Sequence, residues 1–282
     1  MLTVRPAAVA GMFYPGAPHA LEASVRALLA AAPRPAAADP AWPKALIVPH
    51  AGYVYSGPIA ASAYVRLLPA RSRIRRVVLL GPVHRVPIRG VALPGADSFV
   101  TPLGTVDVDS ACAARLRALP QVCESEAAHS LEHSLEVQLP FLQTVLDAFT
   151  LVPLAVGDAS AAEVAEVIEQ VWGGPETLIV VSSDLSHYHR YEQAVEIDRS
   201  TADDILALAE TLDHEQACGA TPINGLALCA RGHGLEAELI DLRNSGDTAG
   251  DKSRVVGYAA FAFARNEPET AASMRLEETV DA

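Results

Sequence analysis

Apolar residues along this chain fall into two arrangements that take turns. Residues 45–49 (ALIVP), 76–80 (RVVLL), 150–156 (TLVPLAV) and 177–182 (TLIVVS) are short, almost continuous apolar runs rich in Val and Ile. Continuous runs of that length describe strands covered on both faces, because a half-exposed strand would alternate with polar residues. Two more strand-like runs follow late in the chain, at 237–242 and 254–264. Between the runs the apolar residues recur at steps of three and four. Leu131, Leu135, Leu139, Leu142, Leu146 and Phe149 form one such stripe and predict an amphipathic helix over 131–149. Similar patterns predict helices over 161–171 and 198–208, and Thr221-Pro222 reads as the cap and first turn of a helix over 223–230.

This alternation predicts an α/β fold, a single domain with a central mixed, mainly parallel sheet flanked by helices. No repeat and no clean linker interrupts it, so residues 1–265 are read as one domain. Residues 33–43, rich in Pro and Ala, read as a loop ahead of the first long strand. Residues 266–282 lose all apolar periodicity and are expected to form a mobile acidic tail.

Composition narrows the function. With 34 acidic residues against 21 basic ones, the formal charge of −13 argues against nucleic acid or an anionic membrane as partner. No apolar run reaches the roughly 20 residues that span a bilayer, and no basic, then apolar leader opens the chain. The four cysteines, Cys112, Cys123, Cys218 and Cys229, form no Cys-x-x-Cys pair. They are expected to be reduced and buried in a cytoplasmic protein.

The polar chemistry sits where the apolar runs stop, and in open α/β sheets ligands bind beyond the carboxyl ends of the strands. The first run ends in Pro49-His50-Ala51-Gly52-Tyr53 and the second leads through Gly81-Pro82-Val83 to His84. The fourth ends in Ser182-Ser183-Asp184-Leu185-Ser186-His187, and a polar loop, 244–251, follows the run at 237–242. Neutral imidazoles with carboxylates nearby are what a divalent metal requires; two histidines and a carboxylate suit non-haem Fe(II), with zinc and copper also compatible. Glu132 and His133 fall in the first turn of the expected 131–149 helix. There they either complement the helix dipole or support the site from behind its ligands. His19, His129, His189, His214 and His233 read as surface residues.

Taken together, the motifs GMFYPG (11–16), PHAGYVYSG (49–57), LLGPVHR (79–85), TPLGTVDVD (101–109), EHSLEVQLPFL (132–142), SSDLSHYHRY (182–191) and GATPINGLAL (219–228) resemble the Memo family, whose bacterial members are called AmmeMemoRadiSam system protein B. The resemblance runs from about residue 5 to 263. It implies a fold similar to class III extradiol ring-cleaving dioxygenases, with a metal at the strand ends. His50 and His84 match the family's two metal-binding histidines. Asp184 and His187 match an aspartate and a histidine lining the same pocket, and Glu132 and His133 match a Glu-His pair beside it. The third ligand of animal members is a cysteine that aligns near Thr248, where this chain has none; Asp247 is the expected replacement, with Asp251 as the alternative.

Two functions follow from the resemblance. In the first, the chain is an Fe(II)-dependent, dioxygenase-like oxidoreductase in which His187, oriented by Asp184, moves a proton and Tyr53 and Tyr55 wall the pocket. In the second it is a non-catalytic module that binds a metal, a small molecule or a peptide and acts with radical SAM and AMMECR-like protein partners.

Overall fold

A computed structural model describes residues 3–34 and 42–265. The expected 266–282 tail and most of the 33–43 loop lie outside the described residues. The strands in chain order are β1 (Val4–Arg5), β2 (Ala45–Val48), β3 (Arg76–Pro82), β4 (Val91–Leu93), β5 (Ser98–Thr101), β6 (Gly104–Asp107), β7 (Val122–Glu124), β8 (Thr150–Val156), β9 (Thr177–Ser182), β10 (His187–His189), β11 (Glu236–Asn244) and β12 (Val255–Ala264). One large sheet runs β10-β12-β2-β9-β3-β8-β4-β7, with β11 also paired to β12; β1, β5 and β6 form a small separate sheet.

The centre of the large sheet is parallel: β2 with β9, β9 with β3, and β3 with β8. Antiparallel β12 and β4 flank this centre, so the sheet is mixed and mainly parallel at its core, as the pattern predicts. Successive residues of the central strands enter different cores. Leu46, Val48, Val77, Leu79 and Val180 pack on one side, and Ala45, Ile47, Val78, Leu80 and Val181 on the other. Both faces are therefore buried, which is why these strands carry no polar alternation.

The departures from the sequence pattern have local causes. The helix expected over 131–149 is only Leu139–Val145, preceded by a 3₁₀ turn at Glu136–Gln138. Glu132 folds its carboxylate onto the amides of His133 and Ser134, at 2.9 Å each, and this side-chain turn replaces the first helical turns. The helix placed at 198–208 is Tyr191–Leu206. The one placed at 223–230 is Ala220–His233, with Gly219 rather than Thr221 at its cap. The short strands β1, β4, β5, β6, β7 and β10 carry too few residues to show a period. His129, expected at the surface, is 2% exposed, its Nε2 2.9 Å from the Ala92 carbonyl.

The β9–β10 loop is clamped from two sides. Leu185 donates to the Gly257 carbonyl and Gly257 donates to that of Ser186, both at 2.8 Å. The Ser186 amide donates to Asp198 Oδ1 at 3.0 Å. Gly257 permits this close approach, since a Cβ there would stand 2.0 Å from Asp198 Oδ2. Burial raises the Asp198 carboxyl to about 6 against the pull of the Ser186 amide.

A carboxyl with a folded pKa near 6 and an unfolded one of about 3.9 binds more protons folded than unfolded between those values. Its contribution is therefore most favourable in acid and is lost as pH rises through about 6. Asp198→Asn is expected to raise stability by on the order of 2 kcal/mol at pH 7.5. Urea unfolding at pH 7.5 and near pH 4 checks this: the advantage must shrink in acid.

Candidate metal centre

The parallel order places β9 between β2 and β3, so three strand ends open on one edge. His50 leaves the end of β2, His84 follows β3 by two residues, and His133 arrives on the turn that Glu132 builds. One ring nitrogen from each of His50, His84 and His133 lies within 4.8 Å of the other two. Their ring centroids are 4.6 to 5.4 Å apart.

The hydrogen bonds behind two of the rings decide which nitrogens are free. Ser182 Oγ donates to the Ser134 carbonyl at 2.6 Å and accepts from Gln138 Nε2 at 2.7 Å. With its only proton committed, Ser182 can only accept from His50 Nδ1, 3.0 Å away. His50 therefore carries its proton on Nδ1 and turns a bare Nε2 lone pair into the site. His84 Nδ1 faces Glu132 Oε1 at 2.9 Å, which leaves its Nε2 as a donor atom in the same way. His133 Nδ1 is buried without a hydrogen-bond partner, 3.3 Å from Glu132 Oε1 but poorly directed.

Burial keeps the His50 and His133 rings neutral. His50 is 1% exposed, and burial, then the neighbouring His133 and His84, push its pKa well below the ordinary imidazole range. Burial brings His133 to about 4. Burial alone would raise the Glu132 carboxyl, but hydrogen bonds from His84 and from the Ser134 amide hold it down to about 2. Ring nitrogens converging with an anion behind them fit a divalent metal, and the orphaned His133 nitrogen fits it too.

The remaining expected residues are distributed differently. Asp247 is not in the group. Its Oδ1 accepts from the Tyr191 hydroxyl at 2.7 Å, and its Oδ2 caps the Asn244 amide of its own turn at 3.0 Å. Asp251 closes another turn onto the Ser253 amide at 2.7 Å. The third donor of the group is His133 instead.

Asp184 does not orient His187; its carboxylate lies behind His50, accepting that residue's amide at 2.7 Å and the Ala51 amide. Burial raises it to about 7 even so. His187 pairs with the Leu185 carbonyl, and burial lowers its pKa; His84 acts on it through space, as it does on His50. Tyr188 beside it holds a left-handed backbone, φ 64°. Tyr53 is core, donating to the Val137 carbonyl at 2.7 Å and packed on Phe141; Tyr55 is exposed.

Sequence reasoning missed one residue altogether. Cys218 Sγ lies 3.3 Å from His50 Nε2. The cue was the Cys-Gly pair opening a helix: a Cβ at Gly219 would meet Ser183 Cβ at 2.6 Å, so only glycine lets this turn close on the β9 loop. Cys123, also expected to be buried, is exposed.

A family model described as "Memo-like protein" matches residues 5–262. The chain belongs to the Memo family. A MEMO1 family protein of Methanopyrus kandleri is 37% identical, covering 93% of this chain and 99% of its own. MEMO1 family proteins of Archaeoglobus fulgidus and Aquifex aeolicus are 37% and 34% identical, over 92% and 93% of this chain and 99% and 100% of theirs. Among solved structures, an uncharacterised protein of Escherichia coli K12 shares the fold of this Memo protein. Its TM-score is 0.53 at 14% identity, over 77% of this chain and 98% of that one.

Ser182→Ala frees His50 to take either tautomer, and Glu132→Gln removes the anion behind His84. Each is expected to weaken divalent-metal binding roughly 10- to 100-fold without unfolding the chain. Calorimetric titration checks this, with circular dichroism as the control for folding.

Proposed function

We propose that this Memo protein is a metal-dependent oxidoreductase that uses Fe(II) to bring dioxygen and a hydroxyl-bearing aromatic substrate together, with copper or zinc as compatible occupants. The observation that carries the reading is the convergence of three imidazoles at one sheet edge, two of them with a ring nitrogen engaged from behind. When bound, the metal would supply Lewis acidity and open positions for substrate and dioxygen.

The chain's own residues account for the rest. His50, His84 and His133 would hold the ion, and Glu132 keeps the His84 Nδ1 proton in place. His187 is kept neutral by burial, so its ring can accept the substrate's hydroxyl proton. Phe13, whose ring centroid lies 4.7 Å from that of His133, packs against this side of the group. The segment carrying Phe13 is fastened below by buried Glu136, which pairs with Arg5 and accepts from the Ala8 and Val9 amides and the Tyr14 hydroxyl.

A second reading rests on the residues that flank the site in sequence. Met12, Val54 and Tyr188 are 72%, 65% and 63% exposed, and exposed apolar side chains suit a peptide or protein partner. On this reading the pocket is a binding module working with radical SAM and AMMECR-like proteins.

An oxygen electrode separates the two. The Fe(II)-loaded protein is expected to consume oxygen with at least one member of a catechol panel. His187→Ala should lower that rate about 100-fold or more while iron stoichiometry holds. An unchanged rate in His187→Ala removes its proposed role. No uptake with any catechol, together with peptide capture lost in His50→Ala, favours the module.

A further inference from the structure

We infer that a cavity between the small sheet and the helix Ser110–Leu116 is a second ligand site, shaped and charged for a short aliphatic diamine. It encloses about 310 Å³, many times the room that one water needs and within the range of small-molecule pockets. None of the three histidines of the metal centre lines it.

The strand register decides what faces the cavity. Phe99 of β5 and Val106 of β6 stand opposite each other and enter the core. Ser98 and Asp107 are the neighbouring pair. Side chains alternate along a strand, so this pair turns the other way, into the cavity that both residues line. Ser98 is only 6% exposed, yet its hydroxyl has no hydrogen-bond partner among the described residues. Buried polar groups are ordinarily paired within the protein; this one is aimed at the cavity, where it can bond a ligand.

Charge selects the ligand. The Asp107 carboxylate accepts no hydrogen bond and joins no ion pair among the described residues. Asp97, also in the lining, engages Oδ2 with the Thr3 amide and hydroxyl, at 2.7 and 2.9 Å, and keeps Oδ1 open. Arg117 is the one cation of the lining, and it is already paired with Glu124 at 2.5 Å. The cavity therefore presents two carboxylates that its own arginine does not answer. An ammonium donates to carboxylate and hydroxyl alike, so it suits Asp107 beside Ser98. A divalent metal ion would call for a full shell of oxygens, whereas Pro94, Val108 and Ala113 give this cavity an apolar wall. Methylenes fit that wall, and two ammonium ends fit the two acids.

Amide NMR on the isotope-labelled full chain tests this, with diaminobutane as the probe at physiological salt. Diaminobutane is expected to shift the amides of residues 95–98 and 107–113 saturably, with a Kd of roughly 1 mM or tighter. Asp107→Asn should weaken binding roughly tenfold or more, and Ser98→Ala roughly threefold or more, with the spectrum of the free protein otherwise preserved. Butylamine should bind more weakly than the diamine, and butanediol, alike in shape but uncharged, should not bind. Equal binding of butylamine or butanediol overturns the diamine. Undiminished binding in Asp107→Asn, shifts at His50, His84 and His133 instead, or no saturable shift by about 10 mM overturns the site itself.

Discussion

One hydroxyl proton organises this site. Ser182 has a single O–H, and the Ser134 carbonyl takes it. Its lone pairs are then available only as acceptors, one for the Gln138 amide and one for His50 Nδ1. Gln138 cannot flip to alter this arrangement, because its Nε2 also donates to the Pro49 carbonyl while its Oε1 accepts from Tyr64. A buried polar network in which every member is satisfied resists rearrangement, since any change strands a donor or acceptor at a cost of about 1–3 kcal/mol. The direction of the His50 lone pair follows from the end of β9, not from His50 itself.

This dependence explains what could be read from the sequence and what could not. β8 and β9 were legible to the residue, because strands buried on both faces must be apolar throughout. His50 and His84 were legible for a related reason: an imidazole just past such a run can only stand at the carboxyl edge. The 131–149 stripe misled. Its apolar residues are buried as a helix's would be, apart from exposed Leu131 and half-buried Phe149, yet Glu132 diverts the backbone into a turn that no periodicity records. The same turn brings His133 into the three-imidazole group with His50 and His84.

Two other errors have the same origin. Asp247 sits in a polar loop of the expected kind, and nothing local reveals that Tyr191, 56 residues earlier, occupies one of its oxygens. Cys218 lies 168 residues from His50. Its partner is set by the packing of the Ala220–His233 helix against the sheet, and a residue list shows no such packing. Sequence patterns report what each element does with its own faces. They are silent on which loops meet, and loops make this site.

The charge balance of the pocket ties these features together. A divalent ion among the three imidazoles would bring two positive charges close to two apolar cores. Removing ions from water is costly unless an opposite charge lies near. Glu132 answers this directly: 2% exposed, it is anionic because amides and His84 surround it, and it stands behind two of the three rings. Asp184, raised to about 7 by burial, is a reserve that would ionise more fully as positive charge enters the pocket. In the protein without metal these two buried carboxylates look like an unexplained expense in desolvation. With a divalent ion at the three nitrogens they become counter-charges, and that economy is itself a reason to expect one there.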